Sequence, residues 1–148
     1  MRIVICGSIA HIEKMIECKG QLEILSHSVV IPSFQPLGMD GGFIDQKEFY
    51  RLRKSGAMNL AWFEREKSRA IREHFEKIAQ GDGVLIVNEE KNGVAGYIGG
   101  NTLMEMGLAF YLKKKIYLLY PIPELGYKEE IIGMKPEILN GDVSRIFS

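Results

Sequence analysis

Cysteine is scarce. Cys6 and Cys18 are the only two in 148 residues, and their spacing fits no metal-ligand pattern. A surplus of one charge is missing too: Lys+Arg and Asp+Glu are equal at 19 each, which argues against a partner that is a nucleic-acid polymer. With 46% apolar and 26% charged residues, disorder is also excluded. No apolar run reaches the ~18 residues that a membrane span needs, and no charged-then-apolar leader segment occurs. Internal repeats and low-complexity stretches are absent as well. These gaps leave a soluble cytoplasmic protein with one globular domain over residues 1–148, able to bury roughly two-thirds of its unfolded surface. Its expected partners are small molecules or further copies of itself, with no membrane and no polymer of nucleotides.

What the chain does have is an alternation of short β-branched runs with helical patterns. Residues 2–6 (RIVIC) read as a first strand buried on both faces and ended by Gly7 and Ser8. Ile12, Met15, Ile16 and Leu22 give the next helix its apolar face, and residues 27–31 (HSVVI) read as a second strand closed by Pro32. Residues 32–56 are expected to be an irregular lid or binding loop, since loops of that length are uncommon unless they serve a site. A long helix is expected over residues 57–80, with Leu60, Phe63, Ile71, Phe75 and Ile78 inward, Glu64, Arg65, Lys67, Arg69 and Glu76 outward, and Gly81 as its stop. Residues 84–87 (VLIV) are a third strand with no polar position. A glycine-rich loop and a helix follow, then a fourth strand at 115–120, a short helix at 128–134 and a last strand at 137–139. This order predicts a single-domain α/β fold, a doubly wound parallel five-stranded sheet of flavodoxin or Rossmann-like type. Such sheets hold ligands beyond the carboxyl ends of their strands.

One carboxylate, Glu105, interrupts a run that is otherwise apolar from Leu103 to Leu112. Thr102 and Glu105 have the spacing of a capping box, which would make the glutamate a structural closure of its own helix. Its place, after a buried strand and a loop with Gly96, Gly99 and Gly100, is also where a doubly wound sheet presents catalytic groups. The phosphate loop ending in Gly-Lys-Ser/Thr is missing, as is the dinucleotide fingerprint after the first strand. Gly7 and Ser8 can offer an amide and a hydroxyl to a phosphate, or form an ordinary strand-to-helix turn. Asn88, at the end of the third strand, can reach the same cleft. Arg51, Arg53 and Lys54 are a further basic group that either binds phosphate or is merely solvated. Asp40-Gly41-Gly42 is a turn signal.

Gly7-Ser8, Gly81-Asp82 and the run Met104-Glu105-Met106-Gly107-Leu108-Ala109, followed by Lys115 and the fourth strand, resemble the nucleoside 2-deoxyribosyltransferase superfamily. Within it, Cys6-Gly7-Ser8-Ile9 is most similar to the 2'-deoxynucleoside 5'-phosphate N-hydrolases. The resemblance implies Glu105 as the nucleophile of a retaining glycosyl reaction on a nucleoside or nucleotide. It implies no metal and no redox cofactor. The family commonly carries a catalytic aspartate eight residues before the aspartate that opens strand three, and that position here is His74. His74 is therefore a second catalytic candidate, although Ile71, Phe75 and Ile78 share its face and suit a structural histidine equally. The substrate-binding candidates are Gly7, Ser8, Asp82, Asn88, Gly99, Gly100 and Asn101. The stretch from Gly99 to Glu105 also resembles the glycine-rich loop of nucleoside-monophosphate phosphoribohydrolases, so ribonucleotide cleavage stays open beside deoxynucleoside cleavage or transfer. A non-catalytic nucleotide-binding module on the same sheet is the other alternative. A homo-oligomer is expected from Trp62 and Phe63, adjacent bulky aromatics that face different ways, unless both pack beneath the lid.

Overall fold

The computed structural model describes residues 1–56 and 59–147. The elements in order are β1 (Arg2–Gly7), α1 (Ile12–Ile24), β2 (Ser28–Val30), α2 (Gln46–Ser55), α3 (Leu60–Gln80), β3 (Gly83–Val87), α4 (Gly100–Tyr111), β4 (Lys115–Leu118), α5 (Lys128–Gly133) and β5 (Glu137–Ile138). They fall into two compact units: Met1–Pro32 with Lys77–Ser148, and Ser33–Glu76. No helix among the described residues is long and apolar enough to cross a membrane.

The first unit is the sheet. Its five strands are all parallel, in the order β2-β1-β3-β4-β5. The chain leaves β1 toward one edge and returns to pair β3 on its other side, so the switch point of the sheet lies between β1 and β3. Side chains alternate across the strands. Ile3, Ile5, Leu85, Val87, Tyr117 and Leu119 join Met15, Cys18 and Leu22 of α1 in one core layer. Val4, Cys6, Val84, Ile86, Ile116 and Leu118 therefore point to the other face, where α4 packs on β1, β3 and β4. The doubly wound sheet expected from the sequence is present, with strand ends shifted by one or two residues, as fraying ends allow. On α1 the inward residues are Met15, Cys18 and Leu22, whereas Ile16 is exposed.

The second unit departs more from expectation. Residues 32–56 are not wholly irregular, because 46–55 form α2. The signals are local: the Asp45 carboxylate caps the Lys47 and Glu48 amides, and Gly56 ends the helix with φ 70°. Before it, Gly42 donates to Asp40 Oδ1 in the expected turn, and Leu37 bridges Phe43. The long helix is described from Leu60, since Ala57 and Met58 lie outside the described residues. Its buried residues are Trp62, Glu66, His74 and Ile78, whereas Leu60 is exposed. They recur at multiples of four, a slightly rotated stripe that places a carboxylate inside. Trp62 and Phe63 both pack on Phe49, with ring centroids at 5.3 and 5.8 Å, so core packing within the unit accounts for both aromatics.

Glu66 is 1% exposed and accepts from the Leu37 amide at 3.0 Å, Arg69 at 2.7 Å and Arg65 at 3.1 Å. Burial works to raise its pKa, but the Leu37 amide and the two guanidinium groups outweigh it and hold the carboxyl below its ordinary 4.5. A depressed folded value stabilises the unit in full above the ordinary value, and that contribution is lost as the pH falls through the folded one. Acid titration followed by Trp62 emission tests this, because its indole donates to the Leu37 carbonyl at 2.6 Å. The expected result is an emission change below pH 4.5 that Glu66→Gln abolishes. An unaltered acid transition in that variant would contradict it.

Candidate active site

α4 begins where the loop after β3 reaches Gly99, its N-cap, which makes no side-chain cap hydrogen bond. Thr102 and Glu105 thus both lie inside the helix, and the capping-box reading is overturned. The residues α4 buries are Thr102, Glu105, Met106 and Ala109, the i, i+3, i+4, i+7 line of a helix face packed on a sheet. Glu105 occupies a position on that line where apolar neighbours prevail, and it is 4% exposed. Placing a carboxylate there is unfavourable unless other groups satisfy it. Asn101, one turn earlier, donates from Nδ2 to Oε1 at 2.8 Å.

Across from it stands Cys6, the penultimate residue of β1, on the α4 side of the sheet by strand alternation. Its sulfur and a Glu105 carboxylate oxygen lie within 4.8 Å. Burial pushes the Cys6 thiol well above its ordinary value, and the Glu105 charge and their hydrogen bond push it further. The thiol therefore stays protonated at neutral pH, and its one hydrogen can be donated to the carboxylate or to the Val4 carbonyl at 4.0 Å. The sequence reading named Asn101 as a substrate-binding candidate and Cys6 within a motif, but read neither as a partner of Glu105. Asn101 was legible from the four-residue spacing, and Cys6 from its alternation with Val4.

The loop joining β3 to α4 is tightly held. Asn88 is fully buried, and its Nδ2 donates to the carbonyls of Gly96 at 3.3 Å, Tyr120 at 3.0 Å and Pro121 at 3.2 Å. Its Oδ1 accepts the Tyr120 amide at 2.9 Å, which fixes the orientation of the side-chain amide. Gly96 has φ 68°, and a Cβ there would lie 2.5 Å from the Pro121 carbonyl oxygen, so only glycine fits. A cavity of about 630 Å³ lies between this loop and the chain after β4, bordered by residues 93–96, Tyr120, Pro121 and Ile122, with Glu89, Glu90 and Glu124 at its polar parts.

The other sequence candidates divide by location. Gly7 ends β1 so close to β3 that a Cβ would meet the Val87 carbonyl oxygen at 2.8 Å, and Ser8 follows it. Gly99 and Gly100 open α4. These residues share the carboxyl end of the sheet with Asn88, Asn101 and Glu105. Asp82 does not join them. It precedes β3 and accepts the Arg2 amide at 2.7 Å at the opposite end of the strands, roughly 16 Å away by strand rise. His74 is buried on the part of α3 that belongs to the second unit.

By sequence the chain matches no protein-family model and no curated protein. By structure it is similar to a 2-deoxyribosyltransferase from the psychrotolerant bacterium Bacillus psychrosaccharolyticus. The two are 15% identical, with a TM-score of 0.52 over 80% of this chain and 71% of that one. The resemblance first carried by the Gly7-Ser8 and Met104-Glu105-Met106 motifs is therefore also a resemblance of architecture, and this chain has the fold of a nucleoside 2-deoxyribosyltransferase.

Proposed function

We propose that this protein cleaves or transfers the N-glycosidic bond of a deoxynucleoside or its 5'-monophosphate, with Glu105 as the nucleophile. The observation that carries this reading is a buried carboxylate on the sheet-facing line of α4, beside the penultimate residue of β1, held by the Asn101 amide. A fold gains nothing in stability from a carboxylate at such a position, so its presence there points to chemistry. In the reaction, a Glu105 oxygen bonds to the anomeric carbon as the bond from that carbon to the base nitrogen breaks. The bonding pair leaves with the base, which takes up a proton. Water, or the N–H nitrogen of a second base, then attacks the same carbon, loses one proton to solvent in exchange for the one taken up by the leaving base, and releases the carboxylate. Asn101 fixes the attacking oxygen, and the neutral Cys6 thiol adds a donor without adding a competing charge.

The test is incubation of the purified protein with deoxynucleosides, their 5'-monophosphates and ribonucleoside 5'-monophosphates, followed by chromatography for free base. Base release from deoxy compounds is the expected result. Release confined to ribonucleotides would place the chain with phosphoribohydrolase chemistry, and binding without release would make it a nucleotide-binding module.

A further inference from the structure

The cavity between the β3–α4 loop and the chain after β4 takes no part in the chemistry above. Its volume of about 630 Å³ falls within the range of small-molecule sites. None of Cys6, Ser8, Asn101 or Glu105 borders it. It lies toward the α1 side of the sheet. Tyr120, on one wall, packs against the core layer that holds Met15 and Cys18, and the Glu89 carboxylate, on the other, acts electrostatically on Cys18. Glu105 and Cys6 face the α4 side, across the strand ends from this space.

Both walls are fixed without a ligand. The Asn88 side chain ties the Gly96 carbonyl of one wall to the Tyr120 and Pro121 carbonyls of the other. Lys91 and Val94 exchange backbone hydrogen bonds at 3.1 and 3.0 Å around Asn92 and Gly93. Their φ values of 53° and 78° make the two-residue turn that matches strand twist, so this part of the loop is rigid. These ties hold the space open, although a void between apolar walls forfeits packing contacts. A ligand entering it would meet preformed surfaces and have little of the chain to order.

The walls also specify the ligand. Val94 and Ile122 supply apolar surface and Tyr120 an aromatic ring, while the charged residues that border the cavity are all carboxylates: Glu89, Glu90 and Glu124. No lysine, arginine or histidine stands among them. Glu124 is paired with Lys128, and Glu90 Oε1 accepts the Gly93 amide at 2.6 Å. The half-buried Glu89 carboxylate has neither a hydrogen bond nor an ion pair among the described residues. Lys91, the cation nearest to it in sequence, donates to Ser8 Oγ at 3.0 Å instead. The negative charge on this wall is therefore not neutralised within the chain. An anionic ligand is repelled there, and a neutral one leaves the carboxylates without a counter-charge. An organic cation suits every part: its ammonium hydrogens are donated to the carboxylates while its apolar body covers Val94 and Ile122. An aromatic ring beside the carboxylates adds attraction for the same charge.

We infer that this cavity is a second ligand site, separate from the glycosidic one, for a small organic amine in its ammonium form. The inference stands whether or not Glu105 is a nucleophile.

Three compounds of similar size and different charge test it: 2-phenylethylamine, 2-phenylethanol and phenylacetate. Each is titrated into nitrogen-15-labelled protein and followed by the backbone amide resonances. The amine is expected to bind, with its largest shifts at Val94, Gly96, Tyr120 and Ile122 and smaller ones at Gly7, Asn101 and Glu105. The alcohol should bind roughly tenfold more weakly or less well still, the worth of a charge-assisted hydrogen bond, and the acid should not bind. Glu89→Gln keeps the shape of the side chain and should lower affinity for the amine by about tenfold, with Glu89→Gln/Glu90→Gln lowering it further. Added salt should weaken the amine and leave the alcohol unchanged. No binding of the amine at millimolar concentration, equal affinities for the three compounds, shifts centred on Glu105, or undiminished affinity in the double variant would each overturn the site. None of these compounds carries a glycosidic bond, so the result is independent of whether the protein releases base.

Discussion

Glu105→Ala is expected to lower base release by about three orders of magnitude or more, because it removes the group that forms the covalent intermediate and not one that merely holds substrate. The loss should fall on kcat, with substrate affinity changed little. Glu105→Gln is the stricter variant. It keeps the shape of the side chain and an oxygen for Asn101 to donate to, but removes the charge that attacks carbon. It should lose as much rate as the alanine variant while remaining folded. Neither substitution should unfold the protein, since the carboxylate sits among Thr102, Met106 and Ala109 on a face that apolar side chains fill well. A Glu105→Gln variant with wild-type turnover would remove the residue from the nucleophile role.

Asn88→Ala should produce the largest stability loss of the positions considered. The wild-type side chain satisfies the Tyr120 amide and three carbonyls from two separate loops, all around a residue with no exposed surface. Alanine leaves these groups without their partner in a confined space. A cost of about 3 kcal/mol follows from the penalty for buried unsatisfied groups, and a fall in Tm of roughly 6–12 °C from the scaling for a chain of this size. Calorimetry reads the shift. Hydrogen exchange should locate the change, with the largest acceleration at the Tyr97 and Tyr120 amides and a smaller one elsewhere in the sheet. A Tm within about 2 °C of wild type would show that the loops hold without the clamp.

The sheet was legible because its strands are short β-branched runs with no polar interruption, and because parallel strands buried on both faces must look that way. Glu105 was legible for the opposite reason, as one charge in an apolar run. The register of its helix was not. Thr102 and Glu105 satisfied a capping pattern by spacing, but the helix starts earlier, and Gly99 takes the cap position without a side chain. α2 was hidden by the glycines and prolines around it, which dominate a composition reading, although Asp45 three residues before Glu48 carried the start signal. Asp82 looked like a site residue by its order in the chain. Its position before β3 instead puts it at the amino end of a parallel sheet, where its carboxylate ties down the start of β1. Asn88 is the subtler case: its place at a strand end suggested a ligand contact, while its amide is occupied in holding two loops in place.

The most direct measurement is mass spectrometry of the protein after incubation with 2'-deoxy-2'-fluoroarabinosyl nucleosides and their 5'-monophosphates. In these compounds the fluorine slows breakdown of a glycosyl ester more than it prevents its formation. The expected result is a fluorosugar adduct on the peptide containing Glu105, absent in Glu105→Gln and discharged slowly by water or faster by added free base, according to whether the protein hydrolyses or transfers. Base release without any adduct on Glu105, or an adduct on another side chain, would contradict the assignment of this carboxylate as the nucleophile.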